Sequence, residues 1–261
     1  MTALAGATLA ELGIDAVALK PAEMDVGRAA ALSVGTVTVD FEGREHVPAP
    51  ETLATLAGTA TVRVTAPVRA DGYDPRGDDS LLDGVPDPVG LVAVAGHPAY
   101  LSEEERARAV APRLGAARER VGEAWVGTEG IERIALAAGG TQYELLSRRT
   151  ERELRSLRAA GLGDEVAVYA PTVLTDDEDE VLDAVGAYVA RRRPVARALP
   201  DDAETDAAAA GRAREVLLKA AGDFALVGTP AEVGDRVARL KEAGADVVVG
   251  YPARGVEEFL A

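Results

Sequence analysis

A histidine in a tight turn is the first residue of this chain whose chemistry suggests proton transfer. His97 lies between Gly96 and Pro98 in the segment VAVAGHPAY, and this Gly-x-Pro context forces a turn directly after an apolar run. Imidazole has an unperturbed pKa near neutrality, so it can donate or accept a proton at physiological pH. The alternative is a loop histidine that makes only a local hydrogen bond. The other histidine, His46, lies in the polar segment EGREHVP and is expected to face solvent.

A second segment, WVGTEG, has the composition of an anion-binding loop. Its glycines, Gly127 and Gly130, would let backbone N–H groups approach a phosphate next to Thr128, and a helix beginning near Ile131 would add positive potential. Glu129 opposes this function, because a carboxylate repels phosphate. A cap formed by Thr128 or Glu129 on the following helix is the alternative, and the residues leave both open.

The composition excludes several kinds of chemistry. The chain has no cysteine, so it has no disulfide, no thiolate nucleophile and no Cys-ligated metal, and two histidines do not make a metal site. Its net charge of −16 argues against nucleic-acid and acidic-membrane partners, because the summed field repels phosphate. There is no run of about 18 apolar residues and no basic N-terminal region, so a cytoplasmic, soluble protein is expected.

The acidic surface suggests adaptation to salt. Carboxylates crowd the runs 176–180 and 201–202, while lysine occurs only at Lys20, Lys219 and Lys241. This pattern resembles proteins from salt-loving cytoplasms, in which molar salt screens self-repulsion. The alternative is a GC-rich genome with ordinary solvated acidic faces. We expect a halophilic, acidic protein.

The segment 224–252 gives the clearest signal of architecture. Thr229 and Glu232 form a T-x-x-E capping box around a proline at the first helical position. Gly244 provides the left-handed residue that ends the helix. The run Ala245–Val249 is short, apolar and β-branched, as strands of a buried parallel sheet are. The segment is therefore half of a βαβ unit.

Strand-like runs alternate with helix signals along the whole chain. The predicted strands are Ile14–Leu19, Thr36–Asp40, Val62–Pro67, Gly90–Ala95, Glu123–Val126, Tyr143–Leu146, Val166–Ala170 and Ala245–Gly250. The predicted helices are Ala49–Leu56, Glu103–Arg120, Ile131–Ala138, Glu151–Ala160, Asp176–Arg192, Ala203–Ala221 and Pro230–Ala243.

This alternation predicts an α/β fold, a (β/α)8 TIM-type barrel formed by one domain over residues 1–261. A helical insertion is expected before the eighth strand. In a closed barrel the last predicted strand, Ala245–Gly250, lies beside the first, Ile14–Leu19. An open doubly wound sheet is the alternative.

Several segments resemble the luciferase-like superfamily of flavin- and deazaflavin-dependent oxidoreductases, which includes methylenetetrahydromethanopterin reductase. The segment FALVGTPAEVGDRVARLKEAGADVVVGYP is similar to the family's closing pattern, in which F-x-x-x-G-T-P-E-E-V leads into a strand ending in Gly-Pro. The segment AWVGTEGIERIALAAGGTQYELLS resembles the fifth-strand glycine loop with the helix and strand that follow. VAVYAPTVLTDDEDEVLDAVGAYVA resembles the seventh strand and its helix. The chain is identified as a divergent member.

The resemblance implies a site at the carboxyl ends of the strands. It implies that Gly127, Thr128 and Gly130 hold the phosphate of a deazaflavin coenzyme or FMN. It also implies that Thr65, Ala66 and Pro67, at the end of the third strand, support the ring at a position where relatives have a strained, often cis, bulge.

At the rim of this implied site, Gly96 would contact the cofactor and His97 would serve as catalytic proton donor. The segment RADGYDPRGDD departs from the family's pattern after the third strand. A small-molecule substrate is expected, and assembly into a homo-oligomer stays open.

Two other functions remain compatible with the residues. A luciferase-like barrel without any cofactor could serve as a binding or assembly subunit, which the short N-terminal loops favour. A phosphate-binding isomerase or aldolase barrel would instead use Gly250, Arg254 and Gly255 before a short final helix.

Overall fold

The structure is a computed structural model that describes residues 9–96 and 101–260. His97 and Pro98, which carry the predicted acid–base turn, lie outside the described residues. The described part of the chain alternates strands with helices, as the sequence predicts.

The strands form one parallel sheet that closes on itself. β1 pairs with β9, with Ala16 opposite Val249, and β6 pairs with β7, with Gln142 opposite Val166. The predicted eight-stranded barrel is confirmed, including the contact between the first and last predicted strands. The strands are β1 (Ala16–Leu19), β2 (Thr36–Val39), β3 (Thr61–Pro67), β4 (Gly90–Val94), β5 (Trp125–Gly127), β6 (Gln142–Leu145), β7 (Val166–Val173), β8 (Leu226–Val227) and β9 (Val247–Pro252). Of these, β8 pairs only with the end of β7 and is not a barrel stave.

Helices surround the barrel and contribute one side of its core. They are α1 (Leu9–Leu12), α2 (Pro50–Ala57), α3 (Glu103–Ala107), α4 (Ala111–Arg120), α5 (Glu132–Ala138), α6 (Thr150–Ala159), α7 (Glu178–Ala190), α8 (Arg193–Ala196), α9 (Gly211–Phe224) and α10 (Pro230–Ala243). Short 3₁₀ helices cover Val26–Ala31, Arg44–His46, Ser80–Gly84 and Val256–Phe259. The capping box of Thr229 and Glu232 is present at α10.

Two predicted helices differ from the structure. The predicted helix over Glu103–Arg120 is two helices, because Arg108 takes an extended conformation after α3. The predicted helix over Ala203–Ala221 begins only at Gly211, since the residues before it form a loop.

Side chains alternate between two environments along the strands. Outward residues such as Val17, Val37 and Val62 pack under the helices in the largest core cluster. Inward residues form a second cluster that fills the barrel, and they include Ala16, Ala18, Val92, Trp125, Tyr143, Ala167, Tyr169, Val249 and Tyr251. The small alanines of β1 leave room for aromatic side chains from the opposite strands, so the interior is packed.

A helical insertion separates β7 from the last βα unit. α7 and α9 pack against each other through an apolar cluster of their own that includes Leu182, Val189 and Leu217. A second small cluster, with Val181 and Ala221, joins this pair to the end of β7. The helical insertion predicted before the last strand is therefore present, and its end lies over the carboxyl-terminal mouth of the barrel.

Candidate functional site at the carboxyl-terminal mouth

Tyrosines line one side of the barrel toward its carboxyl-terminal mouth. The ring centroids of Tyr143 and Tyr169 lie 5.9 Å apart in an edge arrangement, and those of Tyr169 and Tyr251 lie 6.4 Å apart in a stacked one. Trp125 continues the row deeper in the barrel, 5.7 Å from Tyr143. Burial raises the pKa of Tyr143 and Tyr169 well above that of a free phenol. These hydroxyls therefore stay neutral and act as hydrogen-bonding groups.

A cation and a carboxylate hold the outermost tyrosine. Lys20, directly after β1, places its ammonium 4.3 Å from the centroid of the Tyr251 ring and 3.1 Å from Glu23 Oε1. The Tyr251 hydroxyl donates a hydrogen bond to the same carboxylate. Burial alone would raise the pKa of Glu23, but the hydrogen bond and the Lys20 charge outweigh it, so this pKa lies below its ordinary value. Glu23 is therefore ionised at neutral pH.

Asp40 is the carboxyl group at the mouth with the most altered acidity. It follows β2, and the next residue, Phe41, donates its amide hydrogen bond to Thr65 Oγ1 on β3. Burial raises the pKa of Asp40 to about 7; Glu42 and Glu23 push it in the same direction, while Lys20 opposes them. Asp40 thus exchanges a proton near neutral pH.

The insertion covers the mouth with an arginine and a tyrosine. Arg192, just after α7, places Nη1 2.9 Å from Glu129 Oε1 in the loop after β5. The same guanidinium donates to the Tyr188 hydroxyl and lies over the rings of Tyr188 and Phe224, at 4.5 and 5.7 Å from their centroids. Burial raises the pKa of Tyr188, so its hydroxyl stays neutral.

The residues predicted to support a cofactor ring lie at the end of β3. Thr65 and Ala66 are buried, and Pro67 is the last residue of the strand, paired with Val94. The Ala66–Pro67 peptide bond is trans. Thr65 faces the mouth through its bond from Phe41, so this part of the predicted site lies next to Asp40.

The predicted phosphate loop is largely bonded within itself. The amide of Thr128 donates a hydrogen bond to the Tyr143 carbonyl, and the amide of Ile131 donates one to the Thr128 carbonyl. Both donor–acceptor distances are 3.0 Å. The amide of Gly130 lies 3.3 Å from a carboxylate oxygen of Glu132. Gly127 is the last residue of β5, where a β-carbon would lie 2.9 Å from Val94 Cγ1. The loop thus sits at the mouth, but these amides already have acceptors.

Gly96 is the last described residue after β4, with a φ of 84°. Its carbonyl accepts a hydrogen bond from Arg69 Nη2 at 3.2 Å, and the Ala95 carbonyl accepts one from Arg69 Nε at 2.7 Å. Arg69 thereby holds the backbone of Ala95 and Gly96 directly after β4.

The loop after β3, with the sequence RADGYDPRGDD, is held to the segment that contains α3 and α4. Its Tyr73 is fully buried, and its acidic residues pair with arginines of the segment formed by α3 and α4. The three ion pairs are Arg108 with Asp71, Arg113 with Asp74 and Arg120 with Asp79. The charged residues of this loop are thus used for packing.

Two cavities lie away from the mouth. One of about 460 Å³ lies between α7, α9 and α10, with Val181, Leu218 and Arg236 in its lining. Another of about 270 Å³ lies at the opposite, amino-terminal end, next to Arg63 and Trp125. Over the ranges 9–96 and 101–260, no cluster of three potential metal ligands occurs and no helix is long and apolar enough to cross a membrane.

The residues considered for a phosphate site after the last strand are otherwise engaged. Arg254 lies 3.0 Å from Glu180 and 3.5 Å from Glu258. A β-carbon at Gly250 would contact Ile14 and Thr172 at 3.2 Å. At this end of β9, Arg254 is therefore engaged in ion pairs and Gly250 is closely packed.

Sequence reasoning missed the groups that the fold brings together at the mouth. Asp40 was recognised only as the end of a predicted strand, and Tyr188 and Arg192 only as part of a helix. The strand-end position of Asp40 is a usable signal, because parallel barrels gather their functional groups there. No comparable signal marks Arg192, whose partner Glu129 is 63 residues away in sequence.

Two solved structures share the fold over nearly the whole chain. One is an F420-dependent secondary alcohol dehydrogenase in complex with an F420–acetone adduct, with 13% identity and a TM-score of 0.62 over 95% of this chain and 96% of that one. The other is the coenzyme F420-dependent tetrahydromethanopterin reductase from Methanopyrus kandleri, with 13% identity and a TM-score of 0.61 over the same shares. At this identity the likeness concerns the fold.

Comparisons of sequence identify the family. No curated protein matches the chain in sequence. A family model matches residues 9–259, which is almost the entire chain and includes the barrel, the insertion and every group described at the mouth. The chain belongs to DUF7388, a family of unknown function.

Proposed function

We propose that this chain is a luciferase-like oxidoreductase that binds a deazaflavin coenzyme or FMN over the carboxyl-terminal mouth and acts on a small molecule. The shared fold of two F420-dependent enzymes supports the cofactor class. The observation that carries the proposal is Asp40, a carboxyl group with a pKa near 7 at a strand end, beside a row of tyrosines. A proton-exchanging acid beside aromatic rings suits reduction of a carbonyl or imine.

The residues of the mouth fit the ring of such a cofactor. Thr65 has a hydroxyl at the end of β3, and the buried rings of Tyr143, Tyr169 and Tyr251 form an aromatic layer beneath the mouth. The phosphate end fits less directly, because the amides of the loop at Gly127 to Gly130 are mostly bonded within the chain. When bound, the cofactor accepts or supplies a hydride.

The residues of this chain then have separate roles. Asp40 donates a proton to the substrate during reduction and accepts a proton from it during the reverse oxidation. The neutral tyrosines exclude water around that proton, and His97 is a second proposed donor at the rim, one residue beyond Gly96. Lys20 and Glu23 fix the Tyr251 ring.

One observation favours a second candidate function, a barrel that binds or assembles without catalysis. Both cavities described above lie outside the mouth, and Tyr188 and Arg192 close over it. A protein that has lost its cofactor would keep the fold and fill the mouth in this way.

Titration of the purified chain with the deazaflavin coenzyme and with FMN separates the two functions. A ligand that binds the native state raises the melting temperature. We expect one cofactor to do so, and Asp40→Asn to keep binding while hydride transfer falls about a hundredfold. Glu242→Gln, at an exposed acid near the end of α10 on the amino-terminal side of the barrel, is the control. No binding of either cofactor to the wild-type chain would refute the oxidoreductase and favour the non-catalytic barrel.

A further inference from the structure

The ion pair between Arg192 and Glu129 joins two side chains of very different solvent exposure. The Arg192 side chain is only 17% exposed and is held by Tyr188 and by the ring of Phe224. The Glu129 side chain is 55% exposed and stands on a loop that turns at Gly130, where φ is 71°. The cation is therefore fixed in place, whereas the carboxylate can leave without disturbing the core.

The guanidinium also has hydrogen-bonding capacity in reserve. Its Nη1 donates to Glu129 and its Nη2 to Tyr188, but the buried Nε has no hydrogen-bond partner among the described residues. A planar guanidinium binds phosphate and carboxylate through two parallel hydrogen bonds. Arg192 thus has the properties of an anion receptor, and the chain's own carboxylate occupies it.

We propose that Arg192 anchors the anionic group of a ligand at the mouth and that Glu129 holds its place in the ligand-free chain. The inference rests on the proposed function for the position of the ligand and deepens it by naming the recognised group, a phosphate or carboxylate. Binding exchanges one anion for another on the same guanidinium, so it needs no preformed cavity. The loop amides of Thr128, Gly130 and Ile131 already have acceptors, so most of the affinity should come from Arg192.

Charges nearby set the cost of this exchange. Glu132, the first residue of α5, accepts a hydrogen bond from the Gly130 amide of this loop. Its carboxylate repels an incoming anion. Glu129, once displaced, moves into solvent, where its charge is hydrated and screened. The competition is therefore mainly between Glu129 and the ligand's anion for one cation.

Titration with inorganic phosphate at constant ionic strength, read from the melting temperature, tests the exchange without any cofactor. Glu129→Gln should bind phosphate about two- to fivefold more tightly than the wild type, because an exposed ion pair no longer competes. Arg192→Gln should bind phosphate at least about tenfold more weakly than the wild type. Arg193→Gln, at the exposed neighbouring residue, should match the wild type. Equal phosphate affinity in the wild type, Glu129→Gln and Arg192→Gln would overturn the proposal.

A second variant tests whether weaker binding by Arg192→Gln reflects lost packing and not the lost guanidinium. Arg192→Lys keeps the charge but loses the planar fork, so we expect it to fold and to bind phosphate more weakly than the wild type. FMN and riboflavin then separate this inference from the proposed function. FMN affinity should depend on Arg192 and riboflavin affinity should not. Phosphate binding that follows Arg192 in a chain that binds no cofactor would refute the oxidoreductase and keep the anion anchor.

Discussion

Gly186 of α7 faces the carbonyl oxygen of Thr205 so closely that a β-carbon at position 186 would overlap that oxygen. The loop before α9 therefore lies directly on the backbone of α7. The amide of Ala207 also donates to Asp183 Oδ1, 2.8 Å away, which fixes the loop to the same helix. The position of the whole insertion depends on this contact.

Gly186→Ala should destabilise the chain by about 1–3 kcal/mol or more, because the added methyl group forces the loop away from α7. Chemical denaturation of the variant measures the loss. Gly222→Ala is the matched control, since it lies in α9 with open space around its β-carbon and should be neutral or slightly stabilising. Equal stability of the Gly186 variant and the wild type would show that the loop does not rest on α7.

The seam of the barrel depends on Asp15. Its carboxylate accepts a hydrogen bond from the Val248 amide and binds Lys241, both at 2.8 Å. Asp15→Ala leaves an amide at the β1–β9 junction without its acceptor and should cost about 1–3 kcal/mol. Lys241→Gln removes only the ion pair and should cost less than about 1 kcal/mol. Equal losses in the two variants would contradict the role of the amide bond.

Asp40 makes stability depend on pH. Its pKa is raised from 3.8 to about 7 in the folded chain, so the folded state holds a proton that the unfolded state releases between these values. Stability contributed by this group is complete below about pH 3.8 and is lost progressively as the pH rises from there through about 7. Asp40→Asn should therefore melt at a higher temperature than the wild type at pH 8.

The advantage of this variant should shrink toward pH 5. Glu144, whose pKa burial also raises to about 7, titrates in both proteins, so the difference between them isolates Asp40. A difference that does not change between pH 5 and pH 8 would show that Asp40 titrates normally.

The excess of carboxylates should make stability depend on salt. With a net charge of −16, repulsion is screened in molar potassium chloride and unscreened at low ionic strength. We expect the melting temperature to fall as salt is removed. A melting temperature that is equal or higher in low salt would argue against adaptation to molar salt.

The barrel could be predicted from sequence because its signals are local. The β-branched run after Gly244 and the capping box at Thr229 predict α10 and β9 with errors of one or two residues. The first part of the predicted helix Ala203–Ala221, residues 203–210, is not helical, although alanine favours helices. There the backbone is held by the contacts of Thr205 and Ala207 with α7, and tertiary packing overrides propensity.

The site was less predictable because its groups act through distant neighbours. The raised pKa of Asp40 comes from burial, to which the charges of Glu42 and Glu23 add, and the spacing of residues in the sequence does not reveal burial. The ion pair of Arg192 with Glu129 depends on where the insertion folds over the mouth. Hydrophobic periodicity predicts that α7 is a helix, but it does not predict where that helix lies relative to the barrel.

The three arginine–aspartate pairs that hold the loop after β3 also decide from which side the mouth can open. Rotation of that loop away from the barrel would break all three pairs at once and expose the buried Tyr73. On the opposite side, the end of α7 reaches the β5 loop through the single pair of Arg192 with an exposed carboxylate. The loop after β3 is therefore held by more contacts than the end of α7, and under the proposed function we expect a ligand to reach Asp40 from the side of the insertion.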